Sequence, residues 1–226
     1  MLLRGKQASG LLTQQKMLRA AVKLFLEKRY EGTTTAEIAR AAGMPPSSFF
    51  RAFPSKEALL LELDKRMFSG QFALAEQHSA AQDPFLLYAV GTAIQLHIAE
   101  LTEPLRELYV TAYTLSSTSA YLHRSTAKRL EGIFGDYLPD AEAKDFYEME
   151  IASTGMMRSF VAVPCDMYFT VERKIARFLE CALKLCNVPP ERRRGSARPF
   201  CSSTCTPWRR ASSERPSSRR KRALKP

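Results

Sequence analysis

QQKMLRAAVKLFLEKRYEGTTTAEIARAAGMPPSSFFRAFPSKEAL, residues Gln14 to Leu59, reads as three short helices and the start of a fourth. In the first, Met17, Ala20, Ala21, Leu24 and Phe25 recur at three- and four-residue steps, while Lys16, Arg19, Lys23 and Glu27 occupy the other face. Thr34 stands three residues before Glu37, the spacing at which hydroxyl and carboxylate satisfy each other's free amides, so a second helix begins near Thr35. Ile38, Ala39 and Ala42 form its inner side, and Gly43 stops it by tolerating the positive φ of a tight turn.

Prolines bracket the third helix. Pro45 and Pro46 fit only a helix entry, where a missing amide costs nothing. Pro54 pushes Phe53 out of helical geometry. The spacing predicts two turns over Pro46 to Ala52, with Phe49 and Phe53 packing inward and Ser47, Ser48, Phe50 and Arg51 on the opposite side. A short helix crossing another through a glycine turn is the helix-turn-helix unit, whose second helix enters a DNA major groove. Ser55 can cap the fourth helix, and its exposed amides with the Lys56 ammonium form an anion site.

AAVKLFLEKRYEGTTTAEIARAAGMPPSSFFRAFPSKEAL resembles the N-terminal domain of TetR-type transcriptional regulators, which share the pattern A-A-x-x-L-F-x-E-x-G-Y-x-x-T-T-x-x-x-I-A-x-x-A-G-V-S-x-G-T-L-Y-x-x-F-x-S-K-E-x-L. The resemblance implies that Thr34 caps the second helix and that Ile38, Ala39, Phe49 and Phe53 fill the core. It places Thr34, Thr35, Pro46, Ser47, Ser48, Phe50 and Arg51 toward DNA and Lys56 on a phosphate. Three departures matter: Pro45 replaces a capping Ser, Ser47 a Gly that permits close backbone approach, and Phe50 a Tyr whose hydroxyl can hold a phosphate. The recognition helix offers no Asn or Gln to pair with adenine.

The 226 residues carry a net charge of +11, unevenly distributed. Residues 189–226 hold ten Arg, two Lys and two Glu; residues 1–56 hold ten basic and three acidic side chains, and residues 57–188 hold twelve and eighteen. A basic head on an acidic body fits a protein that meets phosphate at one end. The tail, 189–226, has almost no aliphatic residues and no periodicity, so disorder is expected there; a shifted reading frame in a GC-rich gene, beginning after Glu191, would give the same composition. No stretch reads as long enough to span a membrane, which points to a soluble, cytoplasmic protein.

From Lys56 to Val188 the pattern is helical throughout, with helices expected near 56–78, 84–101, 104–117, 119–136, 140–162 and 167–186. The fold class is therefore all-α: a helix-turn-helix domain over 11–65, a helical ligand-binding and dimerisation domain over 66–188, then the tail. Met149, Met157 and Phe160, with Phe169, Ile175, Phe178, Leu179 and Leu183, give the last two helices apolar character over most of their girth. That suggests a four-helix dimer interface, as the resemblance implies; burial within the subunit's own bundle is the alternative. Phe85, Tyr88, Ile94, His97, Tyr109, Tyr113 and Met156 are candidates to line a mostly apolar pocket for a small-molecule effector.

Enzymatic readings lack support. His78, His97 and His123 have no zinc-ligand spacing, and Ser125-Thr126-Ala127-Lys128 has neither of the companion motifs of penicillin-recognising enzymes. Cysteines 165, 181, 186, 201 and 205 suit reduced thiols. Neither cofactor nor metal is expected. The reading is a homodimeric regulator that binds a palindromic operator in double-stranded DNA, a repressor released by an effector. The alternative is a helical small-molecule-binding protein with a degenerate DNA-binding head.

Overall fold

The computed structural model describes residues 2–78 and 84–196, with side chains over 10–75 and 84–193. Within them the chain is helical, with no strand: α1 (Leu2–Lys28), α2 (Thr35–Ala41), α3 (Ser48–Ala52), α4 (Lys56–His78), α5 (Pro84–Leu101), α6 (Glu103–Thr114), α7 (Ser116–Phe134), α8 (Ala143–Ala162), α9 (Val171–Leu185) and α10 (Pro190–Ser196). One 3-10 turn, Gly135–Tyr137, closes α7.

The apolar side chains divide into two clusters. Met17, Phe25, Ile38, Phe49, Phe53, Leu59 and Leu63 build the first around α1–α4, and Leu108 of α6 reaches into it from the body. The second fills the space among α5–α9. α6 thus contributes to both, placing Tyr109 and Tyr113 in the second cluster one residue and five residues after Leu108.

Local rules account for most boundaries. Thr102 and Thr170 cap α6 and α9 with their hydroxyls, and Gly43 (φ 74°) and Asn187 (φ 52°) take left-handed conformations after α2 and α9. Both helix ends bond in the same way: Gly43 N donates to Arg40 O and Met44 N to Ala39 O, as Asn187 N does to Lys184 O and Val188 N to Leu183 O. α3 begins two residues later than its proline bracket predicts, because the Pro45 and Pro46 carbonyls accept from Ser48 and Phe49 in a tighter turn. α9 begins at Val171 instead of near Met167, because Asp166 Oδ1 accepts the amides of Tyr168 and Phe169, both at 2.7 Å, and holds a loop there. α10 occupies the first part of the stretch expected to be disordered; residues 197–226 lie outside the described residues.

α5 overturns the expectation that no segment reaches membrane-spanning length. Its 18 residues have a mean hydropathy of 1.2, but half of it is buried inside the bundle. It is the central helix, packed on α4, α6 and α9, and its buried face includes Thr92 and Gln95. At Gly91 it runs close against α4, where a Cβ would press on the Phe72 ring.

The expected dimer residues need a correction. Met157, Ile175, Phe178, Leu179 and Leu183 are sealed in the subunit's own core. α9 is not apolar around its girth: Ile175, Phe178, Leu179, Ala182 and Leu183 form one stripe, which the body consumes, and Arg173, Arg177 and Lys184 face water. Met149, Phe160 and Phe169 are half-buried, with the Phe160 ring lying 6.3 Å from Phe169 and 5.7 Å from Phe178. The outward apolar groups are others: Tyr147 and Ile151, one turn apart on α8, and Val163, Met167 and Tyr168 beyond it.

Candidate nucleic-acid interface and the polar core of the body

Thr34 and Glu37 set the start of α2. Glu37 N donates to Thr34 Oγ1 at 3.2 Å, and Thr34 N donates to Glu37 Oε2 at 2.9 Å. The Lys28 ammonium, 2.6 Å from the same carboxylate, and then the Thr34 bonds hold Glu37 down to a pKa of about 2. Across the Gly43 turn, α3 is pinned by the fully buried Phe49 and by Gln14 Nε2, which donates to Ala52 O at 3.0 Å. That leaves Phe50 on the other side, 63% exposed, next to exposed Arg51, Ser47 and Pro46.

Not all eight residues expected at DNA lie free there. Thr34 is exposed and Thr35 half-buried. Ser48 is buried, and its hydroxyl accepts from Arg51 Nη2 at 3.0 Å, so it orients the guanidinium from beneath. Lys56 Nζ donates to Tyr30 O at 2.9 Å and Thr33 O at 3.0 Å and lies 4.2 Å from the centre of the Tyr30 ring. Two of its three donors are thus spent tying the α1–α2 turn to α4, leaving one for a phosphate.

Inside the body, the residues expected to line a pocket separate into two groups. Phe85 and Tyr88 meet Phe134 edge-on, and the Tyr88 hydroxyl bonds with Ser153 and Thr92. Tyr109 Oη accepts from Gln71 Nε2 at 2.5 Å, and Tyr113 Oη from Gln95 Nε2. Met156 packs against this core. Ile94 and His97 are half-buried, and His97 feels the charges of Glu172 on α9 and of Glu100, one turn further along α5.

The group that ties the core together is one the apolar pattern hides. Asp64, Gln71, Thr92, Gln95, Glu150, Ser153 and Thr154 are all buried, from α4, α5 and α8. Their signal in the sequence is position: Tyr88, Thr92 and Gln95 share one face of α5, Glu150, Ser153 and Thr154 one face of α8, and Asp64 and Gln71 one face of α4. Polar residues placed on the inward stripe are functional candidates because burying them without partners is costly.

Burial raises the Asp64 and Glu150 carboxyls to a pKa of about 8 each, against a small lowering of Glu150 by the Thr154 hydroxyl. Unfolded, such groups release their protons near pH ~4. The folded protein therefore holds more protons between about 4 and about 8, so its stability falls as pH rises through that window. Urea midpoints should drop from mildly acid to mildly alkaline pH, and Glu150→Gln should make the slope shallower. An equal slope in the variant would remove Glu150 as its source.

A cleft of about 520 Å³ lies elsewhere, between the end of α1 and the start of α6, lined by Arg29, Tyr30, Pro104, Arg106, Val110 and Pro164 among others. None of the seven expected pocket residues borders it. Across it Arg29, held at φ 68°, reaches Glu103 at 3.5 Å and Glu107 at 3.1 Å. It occupies the place of the glycine in the E-x-G-Y part of the TetR pattern, so the left-handed backbone is kept and its side chain links head to body. Among the described residues no group of three or more His, Cys, Asp or Glu side chains is arranged to hold a metal.

A three-helix head that buries one side of a five-residue helix and bares the other, carried on a helical body with a polar core, has the form of a helix-turn-helix protein. Residues 17–63 match the family described as bacterial regulatory proteins, tetR family. The chain is 28% identical over 133 residues to the HTH-type transcriptional regulator TcmR of Streptomyces glaucescens, covering 58% of this chain and 54% of TcmR. It is 33% identical over 82 residues to the regulator YvkB of Bacillus subtilis, covering 36% and 43%. The matched stretches thus span about half the length of these relatives. Among solved structures, RolR in complex with resorcinol aligns at a TM-score of 0.63, with 17% identity, over 85% of this chain and 96% of RolR. FadR of Thermus thermophilus, a TetR-family repressor in complex with lauroyl-CoA, aligns at 0.55 with 20% identity, over 76% and 92%; at such identities the likeness is one of fold. Residues 17–63 thus carry the tetR-family DNA-binding segment, and the curated relatives that share it are HTH-type transcriptional regulators.

Proposed function

We infer that the protein is a cytoplasmic, homodimeric repressor that binds a palindromic operator through α3 and is released by a small molecule entering the body. The observation that carries the DNA-binding reading is the two-sided α3: Phe49 sealed, Phe50 and Arg51 bare, and Ser48 bracing the guanidinium. An exposed aromatic beside an oriented Arg is the equipment for apolar contact with a thymine methyl and donation to a guanine edge. One five-residue helix reads too few bases alone. Two copies set about 34–36 Å apart read both halves of a palindrome.

The dimer face we assign is the outward side of α8 and the loop beyond it, Tyr147, Ile151, Met167 and Tyr168, because the stripe of α9 is already consumed. RolR and FadR were each solved with a small molecule, which supports an effector here. α6 is the natural relay, since it packs Tyr109 and Tyr113 into the polar core, Leu108 into the head, and Glu103 and Glu107 against Arg29. An effector that prefers the conformer with altered head spacing depletes the DNA-binding one.

Selection of duplexes from a random pool by the purified protein should yield a two-fold symmetric site. Phe50→Ala and Arg51→Ala should each weaken binding to it by about tenfold or more, with urea midpoints near that of the wild type because both side chains are exposed. Recovery of no symmetric sequence, from a protein that still binds small molecules, would favour the degenerate-head reading.

A further inference from the structure

Among the described residues, two buried acids of the body have no partner cation. Asp64 is 2% exposed and its Oδ2 has no hydrogen-bond partner; Glu150 is 3% exposed and receives the hydroxyl of Thr154, one turn along its own helix. Gln71, two turns from Asp64 on the same face of α4, donates to Tyr109 Oη, and Ser153, on the face of α8 that carries Glu150, bonds the Tyr88 hydroxyl, so both acids lie on helix faces turned to the tyrosines of the core. Around it stand the rings of Tyr88, Tyr109 and Tyr113, and Phe68 meets Tyr113 edge-on at 6.3 Å. Among the described residues the only buried cation is Lys174, which is neutralised by Glu100 at 2.5 Å.

That inventory discriminates among ligands by charge. An anionic head group would join two acids with nothing to balance it. A neutral hydroxyl would leave both acids protonated as they are. A cation would convert an acid into its carboxylate and pair with it where attraction is far stronger than in water, and the tyrosine rings offer it their negative faces.

Resting on the effector reading above, we propose that the core bounded by Asp64, Glu150, Tyr109 and Tyr113 is a site for an organic cation, an apolar ring system carrying an amine or quaternary ammonium. On entry the carboxyl gives its proton to solvent, and the ligand's positive charge takes its place. The effector class therefore differs in charge from the acyl-CoA found in FadR.

Three probes on one frame test this with the full chain: 2-naphthylethylamine, the matching naphthylethanol and naphthylacetate, titrated by calorimetry near neutral pH in two buffers of different ionisation enthalpy. The amine should bind at least about tenfold tighter than the alcohol, with the acetate weakest, and should release about one proton per site. In the isosteric double variant Asp64→Asn/Glu150→Gln, the amine should lose both its preference over the alcohol and its proton release. Alcohol or acetate binding as tight as the amine, or amine binding without proton release, overturns the charge assignment while leaving the effector core standing. Binding by none of the three overturns the effector core itself. If the double variant does not fold, the ranking and proton count of the wild-type protein decide alone.

Discussion

Lys174→Ala should lower the stability of the protein by roughly 3–5 kcal/mol, the range for removing one partner of a buried ion pair. Lys174 has no exposed surface, and its ammonium donates to Glu100 at 2.5 Å and to the Val163 carbonyl. Glu100 in turn accepts from the Cys165 amide at 3.1 Å and lies 3.5 Å from Arg106. One carboxylate thus gathers α5, α6, the loop after α8, and α9. Alanine strands the carboxylate and the carbonyl together and leaves the space of the butyl stem empty. Set against a total of about 5–15 kcal/mol for a folded protein, that is a large share. Urea denaturation read by circular dichroism measures it, and Glu100→Gln should cost less, because the amide keeps hydrogen bonds to its neighbours. A loss below about 1 kcal/mol for Lys174→Ala would mean that water reaches and rescues the site.

Lys56→Ala should act chiefly on the fold of the head. The ammonium closes the α1–α2 turn through Tyr30 O and Thr33 O and sits over the Tyr30 ring. Hydrogen bonds to a charged group contribute about 1.5–3 kcal/mol each. The head should therefore lose several kcal/mol, and operator affinity should fall because less of the head is folded. A phosphate contact predicts something else: uniform weakening in a well-folded protein and a salt slope reduced by about one unit. With the clamp in command, the slope of log affinity against log salt changes by less than half a unit. A full-unit change with an unaltered urea midpoint would restore Lys56 to the phosphate backbone.

These two lysines mark where reading along the chain stops. Lys56 follows a capping Ser at the start of a helix, which by local rules makes an anion site; the carbonyls that engage it come from residues 23 and 26 positions earlier. Lys174 falls on the apolar stripe of α9, and its partner Glu100 lies 74 residues away. Phe160 and Met157 fit a dimer seam or a core equally well by periodicity, because a helix's apolar face says that it is covered and not by whom. Asp64, Gln95 and Glu150 were legible only as interruptions of inward stripes. Their joint meaning appears when α4, α5 and α8 bring them to the same core.

The sequence by itself determined the all-helical class, the capping box at Thr34 and Glu37, the left-handed stop at Gly43, and the proline bracket that bares Phe50 while Phe49 packs. Each follows from backbone sterics or hydrogen-bond satisfaction within a few residues, so distant chain cannot change it. Tertiary structure alone decided that the α9 stripe belongs to the subunit's own core, that Lys56 is a clamp, and that two acids share the interior with three tyrosines. Those are contacts between segments tens of residues apart, selected by how amphipathic helices cover one another, and no local pattern carries that information.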